Sequence, residues 1–205
     1  MFEAGVDLKL VFGALAALAN IVAYVPYIMS LRAGVARPHV YTWLIWTLTT
    51  GTAAAGSWYG GGGYGALSAT VAAMLTFILF VLSFKYGTKN ITASDTIVLM
   101  FALFAIVVWW QLKQPLLSII MVTLIDLSGY IPTYRKSWSE PWSESIVPWL
   151  LWVLYGFFLV LALGSYNPFT LVFTLATAII ANTILIVILL FRRRLSPKSV
   201  LQAPK

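Results

Sequence analysis

The sequence predicts an all-α integral membrane protein: seven transmembrane helices forming two parallel three-helix bundles joined by a linker helix, N-terminus outside and C-terminus cytoplasmic. Three observations lead there. The chain is 61% hydrophobic and 9% charged over 205 residues, where a soluble domain carries about 25% charged residues. More apolar material is present than a core of this size needs, so the solvent is lipid. The apolar residues fall into seven runs, each of the roughly 20 residues that cross a ~30 Å hydrocarbon core as a helix. Finally, NIVAYVPY at 20–27 is echoed 106 residues later by DLSGYIPT at 126–133, the mark of a duplicated unit.

The spans fall at about 8–30, 40–59, 64–84, 94–112, 115–134, 146–164 and 168–191. The opening MFEAGVDLK carries two acids and one base. It therefore lacks the positive n-region of a cleavable signal, and the first span is expected to stay in the mature protein. GGGG at 60–63 and SYNP at 165–168 are tight turns. KYGTKN at 85–90 is a polar loop, after which Thr92, Ser94 and Asp95 can cap the fourth helix. Gln111 to Pro115 separates the fourth span from the fifth, RKSWSEPWSES links the fifth to the sixth, and RRRLSPKSVLQAPK is a polar tail.

Positive charge sets the direction. Arg32 and Arg37 lie in the first loop, Lys85 and Lys89 in the third, and Arg135 and Lys136 in the fifth. Arg192, Arg193, Arg194, Lys198 and Lys205 lie in the tail. Eleven of thirteen basic residues thus share one side, with only Lys9 and Lys113 opposite. The positive-inside rule puts that side in the cytoplasm. The net charge of +7 is therefore read as orientation in a bilayer, not as a nucleic-acid surface. A bacterial or archaeal inner (plasma) membrane is the expected location. No Cys and a single His, His39, leave neither a disulfide framework nor a thiolate or histidine metal cluster, and no cofactor is expected.

The shift of 106 residues holds without a gap. Tyr24 falls on Tyr130, Pro26 on Pro132, WLIW (Trp43 to Trp46) on WLLW (Trp149 to Trp152), Asn20 on Asp126 and Thr76 on Asn182. Spans one to three thus match five to seven. The unpaired fourth returns the chain to the starting side, so that both units run the same way. The corresponding units are 1–87 (first bundle), 88–114 (linker), 115–192 (second bundle) and 193–205 (basic tail).

On these residues the chain resembles the SWEET sugar transporters and their relatives, the PQ-loop proteins, which share the 3+1+3 plan of parallel repeats. That family has a proline near the cytoplasmic end of each repeat's first helix, often followed by Gln. Pro26-Tyr27 and Pro132-Thr133 match the proline but not the Gln. Pro148 matches a second-helix proline, whereas its repeat partner is Thr42, with Pro38 four residues earlier. WVLYG at 152–156 looks like the family's Trp…Tyr-Gly pattern; the first repeat keeps Trp46 and the later Trp58-Tyr59-Gly60. The resemblance implies a carrier for a sugar or similar neutral metabolite. It also implies that Pro26, Pro132 and Pro148 act as hinges, and that Asn182 and Thr76 stand where the family's pocket asparagines do. Thr in place of one Asn loses a donor and an acceptor. Without the resemblance, each proline also reads as an ordinary membrane-helix proline.

Asn20, Thr76, Asp126 and Asn182 share a depth near the middle of their spans. An Asp there costs about 2.5–3.5 kcal/mol on insertion scales, so it faces a cavity or a partner. Trp46 and Trp152 are deep and repeat-matched, and their flat faces suit sugar or heteroaromatic rings alike. These six form the expected substrate site, without a metal. The polar four also read as interhelical glue. Desolvation disfavours a charged carboxylate. Proton coupling through Asp126 is therefore one reading, and a protonated Asp126 donating to Asn20 is the other. Trp58, Tyr59, Trp109, Trp110, Trp138 and Trp142 read as interfacial belts.

Three function classes compete. The first is a small-solute carrier working by alternating access, uniport or proton-coupled, with homo-oligomerisation left open. The second is a seven-helix receptor or ligand-binding scaffold. The photoreceptor form lacks the last-helix Lys, for there is none between Pro168 and Phe191. A cargo receptor of the KDEL-receptor type would have only Asp126 to hold a peptide's charged ends. The third is a membrane enzyme, but no paired carboxylates, His cluster or activated nucleophile falls inside the spans.

Overall fold

The computed structural model describes residues 7–33, 40–87, 114–130 and 146–195, with single positions within 93–107 and 134–141. Among them every regular element is helical. α1 (Leu8–Arg32) starts where the Asp7 carboxylate accepts from Lys9 N at 3.0 Å, filling an orphan donor of the first turn. It runs unbroken through Pro26. α2 (Val40–Tyr59) leads into a turn in which Gly61 and Gly63 have φ of +75° and +55°, a backbone that only glycine adopts without strain. α3 (Gly63–Tyr86) follows. α4 (Pro115–Ser128) and α5 (Ile146–Ala162) come next. α6 spans Pro168–Leu195. It is opened by a capping box between Asn167 and Thr170 with Pro168 in its first turn, the geometry these residue types favour at a helix start.

Within α6, Thr174–Ala181 is π-helical. The described positions of the fourth span, 93 to 107, are helical, and Ile97, Met100, Phe101 and Phe104 there are exposed. The rest of that span, its capping residues Thr92, Ser94 and Asp95, the fifth-to-sixth loop around Trp142, Pro132, and the belt residues Trp109 and Trp110 lie outside the described residues.

The helices pack in two sets. α3 packs against both α1 and α2, and α6 against both α4 and α5. Between the sets α1 meets α5 and α2 meets α4; likewise α3 meets α5 and α2 meets α6. Each pairing returns when the halves are exchanged. The α2–α3 turn touches the α5–α6 turn: Gly164 N donates to Gly62 O at 3.0 Å and Asn167 Nδ2 to Gly60 O at 2.7 Å. Lys9 Nζ, at the start of α1, donates to Gly164 O at 3.4 Å. α2 and α5 therefore run toward this common end, and α1, α3 and α6 away from it. Arg32, Lys85 and Arg192 to Arg194 occupy the last turns of α1, α3 and α6, at the opposite end. There the Arg192 guanidinium lies 5.1 Å over the half-exposed Trp138 ring and its Nε donates to Trp138 O at 2.7 Å. At the turn end Trp58 and Tyr59 are exposed.

Among the described residues, three helices, Leu8–Met29, Gly63–Tyr86 and Pro168–Leu195, are long and apolar enough to cross a membrane. Their outer faces expose Leu18, Phe77, Phe84 and Val187, whereas Asn20, Thr76 and Asn182 on the same helices are buried. Apolar outside and polar inside is the distribution suited to a lipid surround. Pro148 lies within α5; the residues just before Ile146, which decide whether it costs the helix a backbone bond, lie outside the described residues.

Candidate functional site

One cavity lies between the two sets, with about 880 Å³ of empty space including its open side. All six expected site residues, Asn20, Trp46, Thr76, Asp126, Trp152 and Asn182, line it. α2 supplies a stripe at helical spacing, Trp43, Trp46, Thr50, Ala53 and Ser57, because residues three and four apart share a helix face. α6 faces it with Phe169, Thr170, Phe173, Thr174, Thr177, Ala178 and Asn182.

Six aromatic rings close a circuit around the cavity. Trp43 meets Trp46 at 5.2 Å, Trp46 meets Tyr130 at 6.2 Å, and Tyr130 meets Trp149 at 6.4 Å. Trp149 meets Trp152 at 5.0 Å, Trp152 meets Tyr24 at 5.9 Å, and Tyr24 meets Trp43 at 6.4 Å. These separations lie in the range of favourable offset and edge-to-face ring pairs. Adding 106 to the number of each first-half ring gives its counterpart in the second half. Of these six contacts, Tyr24–Trp152 and Trp46–Tyr130 join the two halves. Past the rings, toward the basic end, Leu31, Leu79, Leu185 and Leu189 are buried and none lines the cavity. On the other side the lining reaches Ser57 and Thr170, close to the paired turns.

Hydrogen bonds hold the rings. The Tyr24 hydroxyl lies 2.9 Å from Thr76 Oγ1, which itself donates to Ala72 O at 2.9 Å. The Tyr130 hydroxyl donates to Asn182 Oδ1 at 3.1 Å, with Thr177 O 3.3 Å away. Asn182 Nδ2 donates to Ala178 O at 2.9 Å. Thr76 and Asn182 are thus glue within their own halves as well as cavity wall. Their polar atoms are engaged.

Asp126 is 4% exposed and accepts from Thr49 Oγ1 at 2.6 Å. That partner stands on α2, while Asn20 Nδ2 has no partner. The halves differ here, since the counterparts of Asp126 and Thr49 are Asn20 and Tyr155. Asn20 Nδ2, Trp46 Nε1 and Ser57 Oγ are buried and unpartnered, and each residue lines the cavity. A buried polar group left unpaired costs about 1–3 kcal/mol, so these are the atoms a ligand or water would satisfy. Among the described residues, Asp126 is the one acidic or basic side chain of the wall.

The halves also differ toward the turns. Ala53 and Ser57 of α2 leave space that their counterparts, Leu159 and Leu163 of α5, fill. Both leucines are fully buried with Ala16, and Leu163 Cδ2 lies where a Gly65 side chain would start, 2.7 Å from that site. The cavity is therefore one-sided, between α2 and α6.

Sequence reasoning did not include Tyr24, Tyr130, Trp43 and Trp149 in the site, although all four carry the repeat signal that could have found them. Thr49 and Ser57 have no such signal. No family model, curated protein or solved structure matches this chain.

Proposed function

We propose that the chain is a multi-pass membrane carrier that moves a small polar solute by alternating access. It is a non-enzyme of 3+1+3 plan like the SWEET and PQ-loop proteins it resembles, with its basic end in the cytoplasm of a bacterial or archaeal inner membrane. The observation that carries the reading is the convergence of repeat-matched polar and aromatic residues on one cavity between two sets of helices. The cavity extends toward the turn end, the external end in this orientation, and is shut toward the basic end by the ring circuit. Opening that side requires the circuit's two inter-half contacts to part while its contacts within each half persist. Halves that move as bodies do this. Pro26, two residues beyond Tyr24, leaves Val22 O without its intrahelical donor and gives α1 a place to bend. Asp126 is the candidate for proton coupling; without coupling the carrier is a uniporter.

The chain has no cysteine, so single thiols are unambiguous reporters. Thr50→Cys, in the cavity wall, is expected to react with an impermeant maleimide in both right-side-out and inside-out vesicles. Gly61→Cys should react only from outside and Lys85→Cys only from inside. Labelling of Thr50→Cys from one face alone would replace the carrier by a receptor or scaffold; reversed labelling at 61 and 85 would invert the topology.

A further inference from the structure

The cavity combines three features that a site for a neutral sugar does not need together. One is the circuit of four Trp and two Tyr rings. Another is a single buried carboxylate, Asp126, with one hydrogen bond from Thr49 and no Lys, Arg or His among the described lining residues. The last is the state of the polar side chains. Thr50 donates to Trp46 O, Thr177 to Phe173 O, and Thr76 and Asn182 are tied to tyrosines. What remains unpartnered is Asn20 Nδ2, Trp46 Nε1 and Ser57 Oγ.

A sugar needs many polar partners around its rim, and here most are engaged. An ammonium needs the negative faces of aromatic rings, which attract a cation most strongly when water is excluded, and a counter-charge in a region where an unpaired carboxylate is expensive. The free N–H groups ask for an acceptor oxygen on the same ligand.

We propose that the cavity takes an organic monocation, an ammonium head on a small apolar body bearing at least one hydrogen-bond-accepting oxygen, with Asp126 as its counter-ion and the Trp and Tyr rings as its cage. The inference deepens the carrier reading and rests on it for the route by which the ligand enters and leaves.

The test uses the purified full chain with choline chloride and its neutral isostere 3,3-dimethylbutan-1-ol, which keeps shape and hydroxyl but not charge. Binding is read by tryptophan fluorescence and by the apparent melting temperature, since a ligand of the folded state raises it. Choline is expected to bind at least about tenfold more tightly than the isostere. Asp126→Asn should remove that preference and Asp126→Glu should keep much of it. The wild-type comparison stands even if a variant fails to fold. Equal binding of the isostere, binding of glucose in place of choline, or binding of neither choline nor isostere overturns the monocation and leaves the carrier reading standing. Choline binding with Thr50→Cys labelled from one face only sinks the carrier reading and leaves the cation site.

Discussion

Tyr24 of α1 meets Trp152 of α5 edge-on at 5.9 Å, and 106 residues on, Tyr130 meets Trp46 of α2 at 6.2 Å. Each tyrosine is fixed from behind by its own half, through Thr76 or Asn182, and each presents its ring to the other half. A bond that belongs to one half and a contact that belongs to both meet in a single side chain. That makes these tyrosines the natural place to separate stability from movement.

Removing the two hydroxyls should have unequal effects. In Tyr130→Phe, Asn182 Oδ1 loses its donor inside the bundle, and a buried acceptor left unpaired costs about 1–3 kcal/mol. In Tyr24→Phe, Thr76 keeps its own bond to Ala72 O, so the loss is an ordinary net hydrogen bond of about 0.5–1.5 kcal/mol. Thermal unfolding in detergent should rank wild type above Tyr24→Phe above Tyr130→Phe. The reverse order of the two variants would mean that Asn182 finds another partner and that the bond is not what holds Tyr130.

Gly156 of α5 lies against the π segment of α6. A Cβ there would sit 2.7 Å from Ile179 Cγ1 and 3.0 Å from Ala178 Cβ, and Ala178 cannot turn away. Gly156→Ala should destabilise by about 1–3 kcal/mol, the usual effect of overfilling a packed core. Gly51→Ala, with nothing within 4 Å of the new carbon, should gain slightly from the helix propensity of Ala. Equal melting temperatures for the two variants would show that α5 and α6 do not pack this closely.

The two turns can be joined covalently. A Cβ on Gly61 would lie 3.6 Å from Ser165 Cβ, within the separation a disulfide requires. Gly61→Cys with Ser165→Cys should therefore oxidise readily, seen as loss of both titratable thiols, despite the strain of φ +75° at residue 61. If this end must open, the linked protein should lose choline counterflow in liposomes and regain it on reduction. Unchanged counterflow in the linked protein would show that the two turns move as one.

Much of the site was legible because duplication leaves a long-range trace that needs no knowledge of packing. Polar residues at one depth, paired by a constant offset, identified Asn20, Thr76, Asp126 and Asn182, and the same offset applied to WLIW and WLLW gave the deep tryptophans. Thr49 was not legible. A threonine in a membrane helix commonly bonds its own preceding turn, as Thr47, Thr50 and Thr52 do here. What selects Thr49 is the rotation of α2 against α4, a contact between residues far apart in the chain. The π segment was equally hidden, since TLATAIIA reads as any apolar helix. Tyr134 donates to Ala181 O at 2.8 Å, a partner 47 residues away in the chain, whereas the Asn182 bond to Ala178 O stays within α6. The proline signal was legible in the sequence, and Pro26 lies inside its helix.

The leucines opposite Ala53 and Ser57 bear on why the two halves share one polypeptide. A homodimer built from the first half alone would carry the Ala53 and Ser57 gap twice, and one from the second half would carry the Leu159 and Leu163 plug twice. Either assembly would own two equivalent entrances or none. Only a tandem copy, free to diverge at these four positions, can assign passage to one flank and bracing to the other. The buried Asp126 beside Asn20's flank follows the same division of labour: one acid, held once, where a symmetric pair would set two like charges facing each other across the axis.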